Sequence, residues 1–206
     1  MASTSSAVEA DCLCAGESWS GGRKSSAETA IIEGVLKGRT LGMNFRIEIQ
    51  PAIKITGLPI RVSMNSGRDF EDIPAFWNRA MNDGSIKKLQ ESVPEGSKLG
   101  VIGVSTIDYD EKTREFTYLI GIESPLNRSR LPDGCVDTAT EAGTWAVFES
   151  RGSLPDAIQK TWKWIISEWF ATSGYHRRDG ADLEIYGPGD TNSPDYYCEV
   201  WIPVVN

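Results

Sequence analysis

The chain carries a single histidine, His176, among 206 residues. That scarcity excludes any metal centre built from several imidazoles. It also forces any Ser-His-Asp triad to use His176, which sits in the polar run Gly174-Tyr175-His176-Arg177-Arg178-Asp179-Gly180 and reads as a surface-loop residue. Cysteine is sparse too. Cys12, Cys14, Cys135 and Cys198 supply neither a disulfide framework nor the two spaced pairs of a zinc site, and Cys12 with Cys14 alone is a weak metal signal. The expectation is reduced thiols in a cytoplasmic protein with no metal and no cofactor. Basic residues are outnumbered, 21 Lys and Arg against 29 Asp and Glu, for a net charge of -8. The densest basic patch, Arg177-Arg178, is followed at once by Asp179. Phosphate contacts need clustered positive charge, so no nucleic-acid partner is expected. No apolar run is long enough to span a bilayer, and no basic segment followed by an apolar one marks a secretory signal.

What is present is apolar and aromatic: 40% hydrophobic residues, seven of them Trp, enough for a real core. Residues 1–42 are dominated by Ser, Ala, Gly, Thr and Glu and read as a flexible or weakly docked leader. Within it, Ser25 to Lys37 has the spacing of one short amphipathic helix through Ala30, Ile31, Val35 and Leu36. Residues 43–206 are regular. Phe45 to Gln50 and Lys54 to Met64 read as strands, with Pro59 implying an edge or a bulge. Ile73, Phe76, Trp77, Ala80 and Met81 recur at helical spacing after the N-cap candidates Asp69 and Asp72; Asp83-Gly84 ends that helix, and Ser85 to Val93 suits a second. Leu99 to Ser105 and Glu115 to Ile122 read as a hairpin pair.

The same order then returns. Thr144 to Ser150 reads as a strand, Ser153-Leu154-Pro155-Asp156 has the form of a capping box, and Leu154, Ile158, Trp162, Ile165 and Trp169 make a helical stripe of core type. Gly174 suits the position after the helix end, and two strands close the chain. Both halves read strand, helix, strand, strand. The fold class is therefore α+β: a duplicated strand-helix-strand-strand unit forming a mostly antiparallel sheet, with helices on one face and a ligand cleft between the halves. Trp164 falls off the stripe, Cys198 reads as a small buried hydrophobe, and Glu199 as a solvated strand carboxylate.

One residue does not suit its strand. Glu184 lies between Leu183 and Ile185 and shares a face with Tyr186. A strand carboxylate belongs by default on a wet face. The segments Ala142-Gly143-Thr144-Trp145-Ala146-Val147-Phe148, Glu168-Trp169-Phe170, Ser173-Gly174-Tyr175, Leu183-Glu184-Ile185-Tyr186 and Trp201-Ile202-Pro203-Val204, in that order, resemble the GyrI-like small-molecule-binding family. That family includes effector-binding domains of AraC-type and MerR-type multidrug regulators and stand-alone gyrase-inhibitory proteins. The resemblance runs from about Phe45 to Val204, with Trp145 where a tyrosine is more usual and no DNA-binding module attached.

The resemblance implies that Glu184 lies in an aromatic cleft and pairs with lipophilic, cationic small molecules. The ligand-binding set is then Glu184 and Tyr186, with Tyr118, Trp145, Trp77 and Trp201. The expected role is a stand-alone cytoplasmic binding protein for such compounds. Two alternatives stay open. Some members of the family are hydrolases of strained electrophilic compounds of the cyclopropanoid type; here Glu184 would be the general base, with Tyr186 or Tyr118 orienting or donating. A protein-interaction role of the gyrase-inhibitor type needs a partner that no residue pattern identifies.

Overall fold

The computed structural model describes residues 43–206 together with the short segment Ile32–Gly34. The strands are β1 (Ile32–Gly34), β2 (Phe45–Gln50), β3 (Lys54–Ser63), β4 (Val101–Asp110), β5 (Glu115–Glu123), β6 (Val136–Ala139), β7 (Gly143–Arg151), β8 (His176–Arg177), β9 (Asp182–Tyr186) and β10 (Tyr197–Val205). The helices are α1 (Asp69–Asn82), α2 (Ser85–Gln90), α3 (Asp156–Trp164) and α4 (Phe170–Ser173), the last two joined by a π-helical stretch, Ile165–Trp169. All strands join one sheet in the order β1-β2-β7-β10-β9-β4-β5-β3-β6, with β8 paired to β10.

The duplication is visible in that order. The first unit is β3, α1-α2, β4, β5; the second is β7, α3-α4, β9, β10. From the centre outward each unit runs second, third and first strand, so the sheet reads the same from both sides of the β9–β4 junction. At that junction the antiparallel register sets Gly103 opposite Glu184, with Val101 opposite Tyr186 and Ser105 opposite Asp182. Gly103 and Glu184 thus occupy equivalent places about a local twofold.

Helices cover one face of the sheet. Strand alternation sends Val62, Phe116, Tyr118, Ile120 and Ile122 of the first unit toward Phe76, Ala80, Ile86 and Leu89 of α1 and α2. In the second unit it sends Ala146, Phe148, Val200 and Ile202 toward Ile158, Ile165 and Trp169. The opposite face carries its own cluster, from Ile55, Ile102, Val104 and Leu119 across to Leu183, Val147, Trp145 and Trp201, with no helix residue in it. Two helix-side clusters, one per unit, meet over the β9–β4 junction.

Gly174 takes the left-handed conformation expected of it (φ 79), and Gly84 does the same after α1 (φ 81). Pro59 lies beyond Gly57, where the β3–β6 pairing stops, on a stretch of β3 with only β5 beside it. The capping box does not form. α3 starts at Asp156 with no side-chain cap, and the Ser153 carbonyl, not its hydroxyl, accepts from the Ala157 N–H. Likewise Asp69 and Asp72 stand inside the first turn of α1, where they favour the positive end of the helix dipole without capping it. Where a helix was expected over Ser25 to Lys37, Ile32–Gly34 is a strand antiparallel to β2. β2 has an open edge, and hydrogen bonding to it outweighs a weak helical periodicity that contains Gly34. The rest of the 1–42 leader, with Cys12 and Cys14, lies outside the described residues.

On the helix-free face, β2 and β10 share a polar network that spans β7. The Arg46 guanidinium donates to both oxygens of Glu199, at 2.8 and 3.1 Å, and to Glu48. Trp201 Nε1 donates to Glu199 at 2.7 Å, and the Tyr197 hydroxyl also donates to it. Glu199 is therefore not the solvated carboxylate its strand position suggested. Burial alone would raise its pKa, but Arg46 and the donors from Tyr197 and Trp201 outweigh burial and hold it below the ordinary value.

Candidate functional site

Glu184 points to the helix side of the sheet, into the seam between the two units, and is only 8% exposed. Oε1 accepts a hydrogen bond from Trp162 Nε1 at 2.7 Å. Oε2 accepts from the Tyr118 hydroxyl at 2.7 Å and the Tyr186 hydroxyl at 2.9 Å. Tyr118 in turn accepts from Trp77 Nε1 at 3.0 Å. Each unit supplies one helix tryptophan, Trp77 from α1 and Trp162 from α3. Trp77 also meets Tyr186 edge to face, with ring centroids 4.7 Å apart. Both indoles are half-buried, whereas Tyr118 is wholly enclosed.

The glycine opposite Glu184 makes the arrangement possible. A Cβ at Gly103 would stand 2.3 Å from the Tyr118 hydroxyl and 2.7 Å from Glu184 Oε2. The phenol–carboxylate bond lies directly over the glycine, in space that any side chain would take.

None of the ion pairs among the described residues involves Glu184. Burial, then the adjacent Glu184 charge, pushes the Tyr118 and Tyr186 phenols well above their ordinary value of 10.0. Both remain protonated donors in the folded protein. The unfolded phenols ionise near 10, so the unfolded state loses protons that the folded state keeps. Stability from these two groups is complete below pH 10 and falls as pH rises above it. Denaturant unfolding on either side of that pH should show the fall, by up to about 1.4 kcal/mol per pH unit for each phenol. Tyr118→Phe should flatten the profile, and an unchanged slope would remove Tyr118 from the account.

The structure brings together four of the residues singled out in the sequence, Glu184, Tyr186, Tyr118 and Trp77. It does not bring Trp145 and Trp201 to them. Trp201 pairs with Leu183, not Glu184, so it points to the helix-free face; Trp145 shares that face and meets Trp201 edge to face at 6.3 Å. Trp162, read as a core stripe residue, is instead the donor to Oε1. Its indole N–H is the signal that could have found it, because a half-buried Trp beside a carboxylate needs an acceptor. Gly103 carried no signal in the sequence beyond being a glycine inside a strand. Trp169 is core, as expected, and His176 is exposed.

A surface depression of about 400 Å³ lies between Arg128 and Asp137, beside the edge strand β6. Its walls are a polar loop tied by the Arg128–Asp137 ion pair, with no aromatic ring, so the seam at Glu184 is the stronger candidate. Among the described residues no cluster of His, Cys, Asp and Glu is placed to hold a metal ion, and no helix is long and apolar enough to cross a membrane.

Residues 43–205 match the family model of the GyrI-like small molecule binding domain. No curated protein matches the chain. Several solved structures share the fold. One, from Staphylococcus aureus MU50 and described as a bacterial transcription regulation protein, is 22% identical with a TM-score of 0.64, over 80% of this chain and 100% of its own. SAV2435, solved bound to tetraphenylphosphonium, is 20% identical with a TM-score of 0.68, over 79% of this chain and 94% of its own. An integron cassette protein of Vibrio cholerae is 20% identical with a TM-score of 0.58, over 78% and 95%.

Proposed function

Because the chain belongs to the GyrI-like small molecule binding family, we propose that it is a cytoplasmic binding protein for lipophilic cations, with Glu184 supplying the charge that selects them. One observation carries this reading: a carboxylate that is 8% exposed, without an ion-pair partner among the described residues, enclosed by Trp77, Tyr118, Trp162 and Tyr186. Taking an anion out of water is costly unless a cation joins it. Hydrogen bonds from two phenols and an indole spread the charge without cancelling it. A cation about 5 Å away, at an effective dielectric of about 20, gains about 3 kcal/mol. Aromatic faces add about 0.5–2 kcal/mol by cation–π attraction and tolerate varied shapes. SAV2435 with its bound tetraphenylphosphonium supports the cationic class by analogy. Free thiols at Cys135 and Cys198 suit a reducing compartment.

The test is tryptophan fluorescence titration with tetraphenylphosphonium and with triphenylphosphine oxide, a neutral compound of related shape. The phosphonium should bind at least about tenfold more tightly, the share of one modest charge contact. Equal affinities would overturn the reading. Mass analysis of each compound afterwards addresses the hydrolase alternative. Compounds recovered intact are the outcome this reading expects; loss of an electrophilic compound with addition of water would favour the hydrolase, with Glu184 as general base.

A further inference from the structure

The helix-free face is buried although no helix residue packs on it, and the connections between strands give the reason. β2 and β3 stand six places apart in the sheet, and so do β6 and β7. In a flat sheet six places are about 29 Å. Yet residues 51–53 alone join β2 to β3, and residues 140–142 alone join β6 to β7. From Gln50 to Lys54, or from Ala139 to Gly143, an extended chain reaches only about 13–14 Å. The sheet must therefore curl, with the helix-free face inside, until its β2 and β6 sides come together. The two connections meet there: the Thr140 N–H donates to the Ile53 carbonyl at 2.9 Å, and the Ile53 N–H donates to Thr140 Oγ1 at 3.0 Å.

Between β2 and β6 the curl leaves a slot. A reach of about 13–14 Å spans three strand spacings of about 4.8 Å, enough for β2, one further strand, β6 and β3, and too little for two further strands. Both walls present backbone groups to the slot. The Glu149 N–H donates to the Asn44 carbonyl, so by alternation Phe45, Ile47 and Ile49 turn their N–H and C=O groups away from β7. Phe45 and Ile47 meet β1; Ile49 has no strand beside it among the described residues, and its side chain is 64% exposed. On β6 the Thr140–Ile53 bond fixes the same alternation and turns Asp137 and Ala139 away from β3. β2 and β6 both run toward the two connections, so a strand antiparallel to one is antiparallel to both. β1 is antiparallel to β2, and its N-terminal end, Ile32 opposite Ile47, points down the slot.

We propose that the slot between β2 and β6 is the docking site of residues 29–31 of this same chain, which continue β1 and close the curled sheet. The β1–β2 register carries Ile31 to Glu48, Ala30 to Ile49 and Thr29 to Gln50. Ala30 then exchanges backbone bonds with Ile49, while Ile31 and Thr29 turn theirs to β6. Alternation puts Ile31 on the helix-free side, where Glu48 neighbours Trp145 of the apolar cluster. Thr29, Ile31 and Ile32 are β-branched, which suits a pleated strand. Docking here covers two open strand edges at once, each of which would otherwise invite pairing with another chain.

Amide hydrogen exchange on the full chain, followed residue by residue by NMR, tests it. In wild type the Ile49, Asp137 and Ala139 amides should exchange at least about tenfold more slowly than unpaired amides, the worth of one to two backbone hydrogen bonds. The double variant Thr29→Pro, Ile31→Pro removes the two N–H groups turned to β6 and should return Asp137 and Ala139 toward the unpaired rate. Unchanged protection of Ile102, in mid-sheet, will show that the variant still folds. Asp137 and Ala139 amides that exchange freely in wild type, or that stay protected in the variant, overturn the proposal. Protection that grows with protein concentration, together with a dimer mass by light scattering, would put a second copy's strand in the slot and overturn docking within one chain.

Discussion

Glu184→Gln is expected to weaken a lipophilic monocation roughly a hundredfold while changing a neutral ligand of similar shape by less than about threefold. The size follows from the setting. No ion pair among the described residues involves Glu184, and its low exposure limits screening. The amide also cannot reproduce the hydrogen bonds. With its oxygen toward Tyr118 and Tyr186, its NH2 group meets Trp162 Nε1 donor to donor. With the amide reversed, the phenols lose their acceptor. At least one buried donor loses its acceptor either way, at about 1–3 kcal/mol. The variant should therefore melt earlier as well as bind more weakly. Calorimetric affinities for tetraphenylphosphonium and triphenylphosphine oxide, read beside thermal unfolding, separate the two effects. A loss shared equally by both ligands would mean that the substitution damages the seam and that the charge is not what selects.

Gly103→Ala is expected to cost about 3 kcal/mol of stability and to abolish cation binding. The methyl group would lie 2.3 Å from the Tyr118 hydroxyl and 2.7 Å from Glu184 Oε2, closer than real contacts allow. Gly103 sits in mid-strand, paired to Ile120 on one side and Glu184 on the other, so neither neighbouring backbone can move aside cheaply. Overpacking costs about 1–3 kcal/mol, and a broken charge-assisted bond adds to it. The double variant Gly103→Ala with Tyr118→Phe should recover part of the stability, because the hydroxyl in the way is gone. Chemical denaturation of the four proteins closes that cycle. Strict additivity would show that the methyl group and the phenol do not meet.

The repeated order of strands and helices was legible because it is written in local pattern. Alternation in Phe45 to Gln50 and the steps of four, four and three through Leu154, Ile158, Trp162 and Ile165 name elements without any knowledge of their neighbours. Glu184, Tyr186, Tyr118 and Trp77 were reachable by alternation and by the family pattern. Trp145 and Trp201 were misplaced for a physical reason. Whether Trp201 shares the Glu184 face depends on the β9–β10 register, and the long connection between those strands does not fix it. Trp162 was missed for another. A helical stripe tells which side faces the sheet, not that the middle of the stripe lies over a seam where the sheet offers a carboxylate. The Arg46–Glu199 bond crosses β7 between β2 and β10, and a pairing of such range has no trace in local sequence.

The local twofold through the β9–β4 junction carries an evolutionary consequence. A protein made of one such unit, assembled as a symmetric pair, must place the same residue at both central positions. With glutamate at both, two carboxylates would face each other across the junction and repel, and the centre would suit a dication or a shared proton. With glycine at both, it would hold no charge. Joining the two units in one chain releases that constraint. One copy keeps the acid at Glu184 while the other shrinks to Gly103 and makes room for it. A centre with one acid and one glycine is thus open to a duplicated chain and closed to the symmetric pair.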